Sequence, residues 1–191
     1  MKTALIVVDV QNDFVEGGSL ACEGGLEVAR KVKDFIQAHK SEYELIISTQ
    51  DWHIANHPNG GHISDEPDFV DSWPPHCIAD TPGANFTAPL VAEDYDFHIR
   101  KGQGIPAYSG FEGIAVENDD SLAKVLQDHH IERVDVVGIA TDHCVLQTSL
   151  DALENGLKVR VYPELTASVD AERGEQALAD LASKQAEILR I

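Results

Sequence analysis

Between Asp51 and His62 the chain reads DWHIANHPNGGH, which places three histidines and an aspartate within twelve residues. Neutral imidazole is a common metal ligand, and with a carboxylate it forms the mixed N/O set that suits Zn²⁺, Fe²⁺ or Mn²⁺. A solvated polar loop would have the same composition, so the stretch acquires meaning only through what else reaches it. A second stretch, GIATDHCVLQTSL, sets Cys144 in the first turn of a helix that follows a strand closed by Gly138, with Thr141 or Asp142 available as N-cap. A helix N-terminus favours the thiolate, as in nucleophilic cysteines. Cysteine is more often a small buried apolar residue, and on spacing alone both roles stay open.

The elements that must position these residues can be read from hydrophobic periodicity. ALIVVDV, from Ala4 to Val10, is a nearly continuous apolar run, as expected for a parallel strand covered on both faces. Gly24 and Gly25 open a helix whose Val28, Val32, Phe35 and Ile36 share one face. ELIIST (Glu44 to Thr49) reads as the second strand. From there to about Leu90 runs a long segment with most of the prolines and little periodicity, and such loops are usually functional or disordered. Its two Trp, four His and Cys77 argue against disorder. Further on come a short strand near Phe97 to Arg100, a helix carrying Leu122, Val125 and Leu126, and the strand RVDVVGIA. A helix from about Asp142 to Glu154, the strand LKVRVY, the helix GEQALADLASK and the strand AEILRI complete the chain. Alternating strands and helices predict a three-layer, Rossmann-like α/β/α fold: a six-stranded, mainly parallel sheet in the order 3-2-1-4-5-6, with helices on both faces.

Ligands of such sheets bind beyond the carboxyl ends of the strands, where the winding reverses. Asp9 ends the first strand, Lys101 follows the third and Cys144 follows the fourth, so the three can converge there. An aspartate beside a thiol can act as its general base, while a lysine ammonium lowers the thiol pKa and keeps the carboxylate ionised. Separately, Asp9 could be a strand-end cap and Lys101 a surface charge. Their combination is what points to chemistry.

Composition narrows the function classes. At 191 residues and 43% apolar, the chain suits one buried domain, residues 1–191. No apolar run approaches the roughly 20 residues of a membrane span, and the N-terminal run meets Asp9 too early for a signal peptide. Cys22, Cys77 and Cys144 are odd in number and widely spaced, which argues for a reducing, cytoplasmic setting. Thirty-three acids against 14 bases give a net charge of −19, which opposes nucleic acid and anionic membranes as partners. A small-molecule substrate is the remaining expectation, with monomer and homo-oligomer both open.

Several segments, IVVDVQNDF.EGGSLA, DWH, SWPPHC, TPGANF, KG....AYSGFEG and VDVVGIATDHCV, resemble the signature segments of the nicotinamidase/pyrazinamidase branch of the isochorismatase-like hydrolases. The resemblance covers essentially the whole chain, with the motifs in family order. It implies hydrolysis of nicotinamide, and of its analogue pyrazinamide, to the acid and ammonia by an Asp9, Lys101, Cys144 triad. One divalent metal, Zn, Fe or Mn, would sit on Asp51, His53 and His76 together with a further loop histidine. Spacing counted back from His76 favours His62 for that place, whereas DWHIANH matches a shorter family spacing and favours His57; His62 is preferred. The resemblance further implies oxyanion stabilisation by the N–H groups of Ala140 and Cys144 and a cis Ile139–Ala140 peptide. Phe14, Trp73, Tyr108 and Ile139 would wall the substrate ring. His39, His98, His129 and His130 are left as structural or surface residues, and His143 is placed only as a neighbour of Cys144. Three rivals remain at this level. A metal-free relative would leave Asp51, His53 and His76 without a purpose; a metal hydrolase would make Cys144 a spectator; a binding protein of this fold would be expected to lack a triad member.

Overall fold

The computed structural model describes residues 1–191. The chain runs β1 (Thr3–Val8), α1 (Gly25–His39), β2 (Leu45–Asp51), β3 (Phe97–Lys101), β4 (Ile114–Ala115), α2 (Leu122–Asp128), β5 (Arg133–Ile139), α3 (Leu146–Glu154), β6 (Lys158–Ala167), α4 (Ala171–Ser183) and β7 (Glu187–Ile188). One sheet contains all the strands, in the order β4-β3-β2-β1-β5-β6-β7. Six of them are parallel and follow the expected order. The seventh, β4, corrects the expectation of six: it pairs antiparallel with β3 at the edge through Ile99↔Ala115 and Arg100↔Ile114. A two-residue strand carries no periodicity, so its pairing is visible only in three dimensions.

Side chains alternate between the two faces of a strand, which explains the apolar run of β1. Leu5 and Val7 pack on the side of α1, with Val28, Val32, Phe35 and Ile36. Ala4, Ile6 and Val8 face the other way, onto Leu122, Val125 and Leu126 of α2, Ala152 of α3 and Leu178 and Leu181 of α4. Burying each such Val, Leu or Ile side chain contributes roughly 1.5–3 kcal/mol, so β1 is held from both sides. The two faces are covered unequally. Where α1 is the only helix, Cys77, Ala84, Leu90 and Tyr95 from the long segment after β2 complete the core. That segment is therefore part of the packing as well as of the cleft.

Helix α1 begins at Gly24, which has φ +84° and no capping side chain. The Glu16 carboxylate supplies the cap from eight residues upstream, accepting the N–H of Gly24 and of Leu26 at 2.8 Å each. No helix is long and apolar enough to cross a membrane.

Strands β1 and β5 are neighbours, and their last partners are Val8 and Gly138. Gly138 has φ +114°, and a Cβ there would lie 2.1 Å from the Val8 carbonyl oxygen. This close approach sets the spacing of the two strand ends from which Asp9 and Cys144 depart. Gly138→Ala is expected to cost about 3 kcal/mol or more in urea unfolding, because it combines a backbone clash with strain. Gly156 makes a control: its φ is +79° and nothing lies within 4 Å of a Cβ there. Gly156→Ala should cost only about 1 kcal/mol. Equal losses would contradict the close-approach role of Gly138.

Candidate active site

Three adjacent parallel strands end at one edge of the sheet, and each delivers a charged side chain. Asp9 directly follows β1, Asp51 closes β2 and Lys101 closes β3, with Asp51 and Lys101 in register. The Lys101 ammonium lies 2.9 Å from Asp9 Oδ2 and 2.5 Å from Asp51 Oδ1. From the other side of β1, the turn after β5 brings Cys144 Sγ to 3.7 Å from the same nitrogen. All four residues are buried. Asp9 has φ +47°, turning the chain out of the strand direction, and its Oδ1 accepts a hydrogen bond from the Thr49 hydroxyl at 2.6 Å.

Electrostatics separate the two carboxylates. Burial raises the Asp9 pKa, with Asp51 adding to the rise and Lys101 opposing it. Burial would raise Asp51 as well, but Lys101, His53 and His76 outweigh it and hold Asp51 well below the usual carboxylate range. Burial also pushes the Cys144 thiol well up, aided by Asp9 and Asp51 and resisted by Lys101. Enclosure thus outweighs the pull of the helix N-terminus toward the thiolate, in keeping with a thiol that needs Asp9 as its base. Cys144 sits in a single wide turn, Thr141–Val145, that leads into α3. Neither expected cap forms: Ala140 holds the N-cap position without a side-chain bond, and the Asp142 carboxylate instead accepts the N–H of Val169 and Asp170 at 2.9 and 3.2 Å.

The other carboxylate oxygen of Asp51 faces a histidine cluster. Oδ2 lies 3.4 Å from His53 Nε2 and 3.5 Å from His76 Nε2. Asp51, His53, His62 and His76 each offer a ligand atom within 4.8 Å of the others, and all four residues are buried. The Nδ1 atoms of His53 and His76 each lie 2.8 Å from a backbone carbonyl, that of Gly102 and of Pro74 respectively. A carbonyl only accepts, so both Nδ1 atoms carry a proton and both Nε2 atoms are turned toward Asp51 in the cluster. His53 Nε2 and His62 Nδ1 are buried without a hydrogen-bond partner. Burial lowers the His62 pKa to about 4, which keeps the ring neutral at physiological pH. Three imidazoles and one carboxylate, with His53 Nε2 and His62 Nδ1 orphaned, fit a divalent cation. His57, the alternative loop residue, is exposed and outside the cluster, its Nδ1 accepting the Asn59 N–H at 2.9 Å.

Cys144, Asp51, His62 and His76 line one cleft together with Phe14, Trp73, Tyr108, Ile139 and Ala140. Trp73 Nε1 donates to the Tyr108 hydroxyl at 3.0 Å, joining two walls. The Phe14 ring lies 5.4 Å from that of His76, and Tyr108 lies 5.4 Å from His62. The Ile139–Ala140 peptide is cis. Leu20, Cys22, His143 and Val169 also line the cleft. Leu20, Cys22 and Val169 had no distinguishing local pattern. His143 was marked only by adjacency to Cys144.

This convergence predicts that His62→Ala loses bound metal on dialysis while His57→Ala keeps it, with His53→Ala and His76→Ala behaving as His62→Ala does. Losing one of four ligands should weaken binding by at least 10–100-fold, roughly the effect of an outer-shell change. Elemental analysis after dialysis gives the answer, and equal metal content in all four variants would contradict the cluster's assignment.

Comparison with known proteins agrees with the geometry. The chain is 46% identical over 186 residues to a nicotinamidase/pyrazinamidase of Mycobacterium tuberculosis, covering 97% of each protein. Among solved structures, a pyrazinamidase of Pyrococcus horikoshii in complex with zinc superposes with a TM-score of 0.84 at 35% identity, covering 100% of both chains. PnC1 from L. infantum in complex with nicotinate gives a TM-score of 0.82 at 32% identity, over 99% of this chain and 92% of that one. The family model described as the isochorismatase domain matches residues 3–191, and the chain that carries this cleft belongs to the isochorismatase family.

Proposed function

We propose that this protein is a nicotinamidase that hydrolyses nicotinamide to nicotinate and ammonia through a thioester on Cys144, with pyrazinamide as a second substrate. The observation that carries the reading is the Lys101 ammonium placed within reach of Asp9 and of Cys144, which lines the aromatic cleft. The similarity to nicotinamidases over nearly the whole chain supports the substrate class. Residues 1–191 are read as one hydrolase domain working in the cytoplasm.

In this reading the flat ring enters between Phe14 and Trp73, with Tyr108 and Ile139 as further walls. Cys144 rests as a thiol, so its proton must leave during attack. Asp9 takes it while Sγ bonds to the carboxamide carbon, and Lys101 stabilises the carboxylate beforehand and the thiolate character as it develops. The N–H groups of Ala140 and Cys144 are assigned to the negative oxygen of the tetrahedral adduct. Collapse expels ammonia, which receives its proton from Asp9 and leaves a thioester. Asp9, ionised again, takes one proton from the incoming water; the C–S bond breaks, that proton returns to Sγ, and nicotinic acid departs and gives up its own proton to solvent as nicotinate. Asp51, His53, His62 and His76 would hold one divalent ion, Zn²⁺, Fe²⁺ or Mn²⁺, whose contribution is Lewis acidity toward the ring nitrogen and thus orientation of the ring.

Purified protein should release ammonia from nicotinamide and pyrazinamide, in an assay coupled to glutamate dehydrogenase. No ammonia from either substrate with metal restored would reject the assignment. Cys144→Ala should lower kcat on the order of a thousandfold or more with metal content unchanged, and retained turnover would favour a metal hydrolase in which the cysteine is a spectator. Asp9→Asn should be nearly as damaging, because it keeps the shape and removes the base.

A further inference from the structure

The three histidines of the cluster are not held alike. His53 and His76 have ring hydrogen bonds to the Gly102 and Pro74 carbonyls, whereas neither ring nitrogen of His62 bonds to the protein, its buried Nδ1 being one of the orphaned atoms of the cluster. His62 therefore takes its position from its backbone and from ring packing against His53, His76 and Tyr108. That backbone belongs to the turn Asn59–Gly61, in which the His62 N–H donates to the Asn59 carbonyl at 3.3 Å.

Asn59 is fully buried and uses its whole side-chain amide. Oδ1 accepts the N–H of Ile54 and of Gly104, both at 3.0 Å. Nδ2 donates to the carbonyls of Ile54 at 3.0 Å and His57 at 2.8 Å. Two donors and two lone pairs are all an amide has, so no capacity is left over. The partners matter as much as their number. Ile54 adjoins His53, and Gly104 lies two residues beyond Gly102, whose carbonyl orients the His53 ring. The amide thus fixes the turn bearing His62 to both backbone segments that define His53, and the two rings stand 5.0 Å apart. Asn also suits the backbone, because φ at position 59 is +48°, in the left-handed region that Asn tolerates better than most residues. An aspartate there would set carboxylate oxygen against the Ile54 and His57 carbonyls in a buried place.

We infer that Asn59 is a positioning residue for metal binding, acting through His62. The inference rests on the reading of Asp51, His53, His62 and His76 as the ligands of one divalent ion. It assigns to a loop amide, outside the cluster and the cleft, the task that ring hydrogen bonds perform for His53 and His76.

The test uses the full chain stripped of metal, titrated with Zn²⁺ against a chromophoric chelator. Asn59→Gly removes every side-chain bond while tolerating the backbone angle, and it should weaken Zn²⁺ binding 10–100-fold. Asn59→Asp, of nearly the same shape, should do at least as much and serves should the glycine variant not fold. Because Asn59 acts through His62, the Asn59→Gly/His62→Ala double variant should bind within about threefold of His62→Ala alone, rather than showing the product of the two losses. The visible absorption of the Co²⁺-loaded Asn59→Gly variant should move from that of the parent toward that of His62→Ala, which a general loss of stability would not produce. Parent-like affinity in both Asn59 variants, or losses that multiply in the double variant, would overturn the inference and leave the metal site standing. A parent protein that binds no Zn²⁺ would overturn both.

Discussion

The site depends on one buried ammonium. Lys101 places a cation between two carboxylates, Asp9 and Asp51, with all three side chains shielded from water. Removing such charges from solvent costs several kcal/mol each, and deleting one partner of a buried pair typically costs about 3–5 kcal/mol because the other is left uncompensated. The fold makes the arrangement feasible by geometry. In a parallel sheet every carboxyl end lies on the same edge, so the ends of β1, β2 and β3 bring their charged residues together without any long loop. Two carboxylates against one ammonium still leave a negative charge, and a divalent cation at the histidines beside Asp51 would offset it.

Sharing one cation between two acids also gives the acids different characters. Asp51 has Lys101 on one oxygen and two imidazoles near the other, and is held ionised. Asp9 has Lys101 and the Thr49 hydroxyl, too little to outweigh its burial, and its pKa is raised. A carboxylate with a raised pKa is the one suited to accept and return a proton, while its neighbour keeps a fixed charge. Both lie at the same depth in the same sheet. Their difference comes from what the long loop and β3 place around them.

Much of this was legible from the sequence because the decisive features were local. The apolar run of β1, the 3.6-residue pattern of α1 and the glycine before Cys144 each declare themselves in a short window. Asp9, Lys101 and Cys144 could be placed on one edge because strand ends follow from topology, and the motif resemblance selected the same three. What escaped depends on contacts between distant segments. The two-residue β4, the Glu16 cap of α1 and the core role of Cys77, Ala84, Leu90 and Tyr95 have no periodic signal. Between His57 and His62 the spacing counted back from His76 favoured His62, and tertiary contacts bury that residue within the cluster and leave His57 exposed. The protonated state of Cys144 shows the limit of local reading. Helix position favours thiolate, but enclosure by the sheet edge and two carboxylates decides the other way.

The segment between β2 and β3 also ties the histidine cluster to the aromatic walls of the cleft. The Trp73 N–H donates to the His62 carbonyl at 2.9 Å, and the Ser64 N–H donates to the Trp73 carbonyl at 2.9 Å, so His62 and Trp73 lie on two paired stretches of backbone. Three residues past Trp73 comes His76, whose ring faces Phe14. Trp73 in turn bonds Tyr108, which stacks edge-on against His62. The three aromatic walls of the cleft, Phe14, Trp73 and Tyr108, are therefore each in contact with a residue of the cluster or one hydrogen bond away. Displacing His62 cannot leave the aromatic slot unchanged, and a planar ring that fills the slot resists the same displacement. Any coupling between metal and substrate carried by this element must be reciprocal, each changing the other's affinity by the same factor.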